Sequence, residues 1–159
     1  MKSELILFQL SVVSGMIAWG AVSKGYIWPK IKDLDLAEAV KPLLYIHLFR
    51  YIGLMFMIQG VVSKDLPIEF GLQAGWGDLI AAGLAGLSLI ALNTKLLKPS
   101  LWIFNIVGFV DLLHGFYEAR IVLGINPADF ASAFYLPVLY VPLLLWTHIM
   151  IFLLLIKKK

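Results

Sequence analysis

Residues Leu101 to Ile121, LWIFNIVGFVDLLHGFYEARI, decide the fold. The stretch is apolar and long enough to cross a bilayer, which takes about 20 residues, yet it carries Asn105, Asp111, His114 and Glu118. At 100° per residue Asp111, His114 and Glu118 share one helical face. Ionisable groups within a span are costly, so they face protein or a wet cavity and mark a functional site. The rest of the chain then has to supply their partners.

Composition agrees with a membrane setting. Of 159 residues 61% are hydrophobic and 14% charged, against about 45–50% and about 25% in soluble domains. A formal charge of +3, scattered along the chain, argues against a nucleic-acid partner. With no cysteine, disulfides, thiolate metal sites and thiol nucleophiles are excluded. No G-x-S-x-G occurs around any serine, which disfavours a Ser-His-Asp hydrolase.

Five segments are long enough to span: residues 5–23, 42–62, 76–92, 101–121 and 136–156. The third is the least apolar, but AAGLAGL places Ala81 with Ala85, and Ala82 with Gly86, at the small-xxx-small spacing of close helix contacts. The expectation is one all-α integral membrane domain, a five-helix bundle. Lys2 is offset by Glu4 and no A-x-A site follows the first apolar run, so that segment reads as a span and not as a cleaved signal. Nine lysines fall on one side: Lys24, Lys30, Lys32 and Lys41, then Lys95 and Lys98, then three at the C-terminus. The other side holds Lys2, Lys64 and Arg120. The positive-inside rule sets the N-terminus out and the C-terminus in, across a bacterial cytoplasmic membrane. Trp19, Trp28, Trp76, Trp102 and Tyr135 lie near span ends, as an aromatic belt requires.

The connections carry their own signals. IKDLDLAEAVKP reads either as an interfacial turn or as an early start of the second helix, with Pro42 at the bend. SKDLPIEFGLQAGWGD is more apolar than a solvated loop and suits either a dip into the interface or a cover over the outer face. Asn126-Pro127 resembles a helix N-cap with Pro at the first position, so the fifth helix is expected to start early.

Depth follows from a rise of 1.5 Å per residue. From the cytoplasmic end His47 lies roughly 8 Å in, Arg50 and His148 roughly 12 Å, Asp111 roughly 15 Å and His114 roughly 20 Å. Arg50, Asp111 and His148 therefore share a level on three helices. His47 and Asn105 fall just below, with Asp78 and Glu118 near the outer surface. One reading is structural: an Arg50–Asp111 pair pins helices, and each histidine makes an interhelical hydrogen bond. A second is a divalent metal on His47, Asp111, His114 and His148, serving a metal-dependent membrane enzyme, although no HExxH or bridged carboxylate motif supports it. A third is a b-type haem with His47 and His148 as axial ligands. A fourth is a site for a lipophilic or charged small molecule, with Arg50 and Asp111 handling charge. A scaffold that joins its own copy or a partner membrane subunit is the non-catalytic alternative.

The chain resembles a family of small bacterial inner-membrane proteins. The likeness rests on H-x-x-R-x-x-G (His47, Arg50, Gly53), Pro67 and Phe70, G-x-G-D (Gly75, Gly77, Asp78), N-x-x-G-x-x-D (Asn105, Gly108, Asp111), Leu136-Pro137, Pro142 and His148. It covers residues 43–150 and implies no settled activity. R-x-x-G-x-x-F-x-x-x-G (Arg50, Gly53, Phe56, Gly60) is loosely similar to DoxX-like membrane proteins. The candidate site is thus His47, Arg50, Asp78, Asn105, Asp111 and His148.

Overall fold

The computed structural model describes residues 2–158. It is all-helical, with six α-helices and no β-strand among the described residues. Four stretches are long and apolar enough to cross a membrane: Ser3–Ile31, Leu36–Met57, Leu97–Val122 and Leu136–Lys157.

Helix α1 (Lys2–Val22) continues through a π turn, Ser23–Ile27, into the short α2 (Trp28–Ile31). It lies at the periphery and packs chiefly on the last helix and the segment before it. Two glycines permit that approach. A Cβ on Gly15 would overlap the Val138 carbonyl, and one on Gly20 would lie 2.8 Å from the Trp146 ring. The indoles then tie the helices together: Trp19 donates to the Leu139 carbonyl and Trp146 to the Met16 carbonyl, each at 2.9 Å.

Helix α3 (Leu36–Leu48) begins ahead of Pro42, because the Asp35 side chain caps it by accepting from the Glu38 N–H at 3.1 Å. Pro42 is absorbed inside the helix. The chain then tightens into a 3₁₀ helix, Phe49–Met57, far longer than the usual three or four residues. Tyr140 secures the junction by donating to the Ile46 carbonyl at 2.7 Å. With three residues per turn, Arg50, Gly53 and Phe56 stack on one buried face of this segment.

Helix α4 (Ile68–Ile90) begins eight residues before Trp76, within the stretch read as a loop. Its 23 residues are long enough to span, at about 34 Å; Gln73, Asp78 and its glycines hold its hydropathy below that of the other four. Ala81, Ala85 and Ser88 are buried along it. Helix α5 (Leu97–Tyr117) ends in a π turn, Glu118–Val122. The Asn126 side chain does cap a helix, accepting from the Ala128 N–H at 3.2 Å, but that helix is a separate 3₁₀ piece, Pro127–Phe134. A break at Ala131 (φ 44°, ψ −120°) kinks this piece internally, and a π turn at Leu136–Tyr140 then leads into α6 (Val141–Lys157). The loops that follow the 3₁₀ segment and α5 join through Ser63 N–H to the Asp129 carbonyl at 2.9 Å and Ser132 N–H to the Val61 carbonyl at 3.0 Å.

Two larger apolar clusters follow, beside a smaller one around Leu112, Leu144 and Leu145. One gathers Leu43, Leu44, Leu101, Phe104, Ile151 and Leu154 at one end of the bundle. The other gathers Phe56, Leu66, Phe70, Ile125 and Phe130 under the joined loops. Along the second span Arg50 lies between them.

Candidate functional site

Arg50 is fully buried and every nitrogen of its guanidinium is engaged. Nε donates to Asp78 Oδ1 at 2.7 Å and Nη2 to Asp111 Oδ2 at 2.6 Å. Nη1 donates to the Gly108 carbonyl at 3.1 Å and faces His148 Nε2 at 3.4 Å. A guanidinium presents five N–H groups in a planar fork, so one arginine can hold two carboxylates and a carbonyl on three edges. The 3₁₀ segment supplies the arginine, α4 supplies Asp78, and α5 supplies Asp111 and Gly108.

The histidines extend this centre along α6. Asn105 Nδ2 donates to the His148 carbonyl at 3.1 Å, which leaves its Oδ1 to accept from His148 Nδ1–H at 2.6 Å. Nε2 of His148 then carries the lone pair that meets Arg50. The Thr147 hydroxyl donates to the Leu144 carbonyl at 2.8 Å, so its oxygen accepts from His47 Nε2–H, also at 2.8 Å. Nδ1 of His47 is buried with no hydrogen-bond partner among the described residues. The His47 and His148 rings lie 4.3 Å apart between centroids, and Phe104 packs against both at 4.9 and 5.2 Å.

Three motif glycines make room for these groups. A Cβ on Gly53 would overlap the Asp78 carboxylate, and one on Gly77 the Asp111 carboxylate. On Gly108 it would lie 2.8 Å from the His148 ring and 2.9 Å from Arg50 Nη1. Real Cβ atoms essentially never approach other atoms below 3.0 Å.

The structure brings together Arg50, Asp78, Asp111, His148, Asn105 and His47. Asp78 is not an outer contributor but a direct ligand of Arg50; the depth reckoning misplaced it because α4 starts at Ile68. His114 stands apart. Its side chain is 52% exposed, Nδ1 pairs with Gln73, and Nε2 lies 3.5 Å from Glu118.

Neither cofactor reading fits these residues. Among the described residues no group of three or more His, Asp or Glu is placed to hold a metal. His114 points elsewhere, and Asp111 and His148 both face a cation the chain supplies itself, Arg50. A haem would need the macrocycle between His47 and His148, whose rings, tilted at 51° with centroids 4.3 Å apart, leave no space for it.

On the other side of the carboxylates lies a cavity of about 90 Å³. Asp78 and Asp111, with side chains 16% and 20% exposed, line it. Its walls are Phe8, Phe56, Phe70, Phe116 and Phe130, with Gln73 and the exposed Arg120 also on its lining. Sequence reading missed Gln73, Thr147, Phe104 and the role of the glycines. The available signal was the strict spacing of three in His47, Arg50, Gly53 and Phe56, which suits a 3₁₀ face.

Comparisons with curated proteins and with solved structures find no match. A family model described as a domain of unknown function, DUF8737, matches residues 7–156, and this match carries the family but not the DoxX-like resemblance. Nearly the whole chain, site included, falls inside that match, and the protein belongs to the DUF8737 family.

Proposed function

We propose that the protein is a five-span membrane protein that binds a small organic cation with an apolar body inside its bundle. The observation that carries this reading is two carboxylates sharing one guanidinium at the edge of an aromatic cavity. Arg50 neutralises one of the two negative charges, and each of its three guanidinium nitrogens already has a partner. The remaining negative charge borders the cavity, where an ammonium group can meet it. Low dielectric strengthens that attraction, and phenylalanine faces add cation–π contacts. Arg120 also lines the cavity, but it is exposed, so its charge is met by water or lipid headgroups. The cavity volume limits the ligand to a few heavy atoms.

Membrane placement rests on the four apolar helices, with α4 as the fifth span by length and by its central packing against α3, the 3₁₀ segment and α5. The lysine distribution supports N-out, C-in topology in a bacterial cytoplasmic membrane. A second reading treats Arg50 as a structural pin for the three elements. It is favoured by a hydrogen bond at each guanidinium nitrogen and predicts no ligand.

A test is a thermal-shift series on detergent-purified protein with n-alkylammonium ions and n-alkanols of matching length. Stabilisation by the ammonium ions alone supports the proposal. Equal shifts from alkanols, or no shift from either, overturn it.

A further inference from the structure

A second concavity, separate from the site above, runs between α1 and α6 with a volume of about 590 Å³. Its walls are apolar, including Val13, Ile17, Trp146 and Leu153, but one end is not. That end holds Ser23, Lys24 and Trp28. The Ser23 side chain is buried, with the residue only 2% exposed, and its Oγ finds no hydrogen-bond partner among the described residues. It sits in the π turn, where a widened backbone is a frequent mark of a functional position. Lys157 lies 5.4 Å from the Trp28 ring, adding a second positive charge at this end.

We propose that this groove binds one acyl chain of an anionic phospholipid, with the headgroup at Lys24. From Val12 to Lys24 the groove follows α1 for about 18 Å. That is comparable with one leaflet, half of the roughly 30 Å hydrocarbon thickness. A lipid so placed brings its phosphate to Lys24 and Lys157 and its ester oxygens to the level of Ser23, whose hydroxyl gains an acceptor. An amphiphile with an anionic head is the one ligand that uses the apolar length, the orphan hydroxyl and the basic end together. The inference rests on the membrane placement proposed above but not on the amine site.

The test is native mass spectrometry of detergent-purified protein titrated with phosphatidylglycerol or phosphatidylcholine of identical chains. Wild type retains one phosphatidylglycerol in preference to phosphatidylcholine. Lys24→Gln reduces that preference about fivefold, and Ser23→Ala weakens binding of both lipids. Ala21→Phe, which fills the groove from an exposed position, abolishes retention of both. Asp111→Asn leaves lipid binding unchanged. Equal retention of the two lipids by wild type, or unaltered retention in Ala21→Phe, overturns the proposal.

Discussion

Gly108→Ala against Gly83→Ala isolates the role of close packing at Arg50. Both glycines lie inside helices, yet a Cβ at Gly83 meets nothing within 4 Å. At Gly108 it would press on the His148 ring and Arg50 Nη1 at 2.8 and 2.9 Å, and both of those side chains are fully buried. His148 is fixed by Asn105 and Arg50 by two carboxylates, so neither can yield without breaking a hydrogen bond. Overpacking of this kind costs about 1–3 kcal/mol. Displacing a hydrogen bond to a charged group costs about 1.5–3 kcal/mol, and the better helix propensity of alanine offsets about 1 kcal/mol. Gly108→Ala should therefore lose about 2–4 kcal/mol, which lowers Tm by about 5–15 °C at this chain length. Gly83→Ala should raise Tm by a few degrees, since up to about 1 kcal/mol is gained with no clash. The assay is thermal unfolding of the detergent-purified proteins at one scan rate. Equal shifts for the two variants, or a more stable Gly108→Ala, would refute the reasoning.

Further outcomes follow from the same geometry. Arg50→Met leaves two carboxylates facing each other and should destabilise by about 3–5 kcal/mol. Adding Asp78→Leu and Asp111→Leu should restore most of that loss, since a buried ionic group replaced by apolar side chains is often near neutral; denaturant or thermal midpoints read both. Thr147→Val strands the His47 Nε2–H and should cost about 1–3 kcal/mol, whereas His114→Ala should stay within about 0.5 kcal/mol because the side chain is half exposed. Ala131→Gly should stabilise by about 1 kcal/mol by relieving the left-handed backbone at the break before α6, seen as a higher Tm.

The apolar spans were legible because bilayer length and hydrophobicity act residue by residue. The all-helical architecture followed from them. The arrangement of charge was less legible. Arg50, Asp111 and His148 could be set at one level by rise per residue, but Asp78 could not, because its helix starts in a stretch rich in glycine. Counting from Trp76 placed it at the surface; counting from Ile68 places it inside. Gly53, Gly77 and Gly108 were visible as a pattern, but their purpose depends on side chains from other helices, which no local rule encodes. The metal set failed for a similar reason: His114 shares a helical face with Asp111, yet the partners of that face, Gln73 and Arg50, come from α4 and the 3₁₀ segment and divide it in two. A spacing of three running from His47 through Phe56 contradicted a uniform α-helix and was the overlooked local clue.

Asp111→Asn is the most direct probe of the charge left over beside Arg50. It keeps the side chain's size and a carbonyl oxygen for Arg50 while cancelling the negative charge at the cavity. Equilibrium dialysis of a radiolabelled n-alkylammonium ion against wild type, Asp78→Asn and Asp111→Asn reads this without reference to stability. The account predicts saturable binding at one site in wild type, with affinity at least tenfold weaker in either variant. Binding that is undiminished in both variants, or absent from wild type, would contradict it.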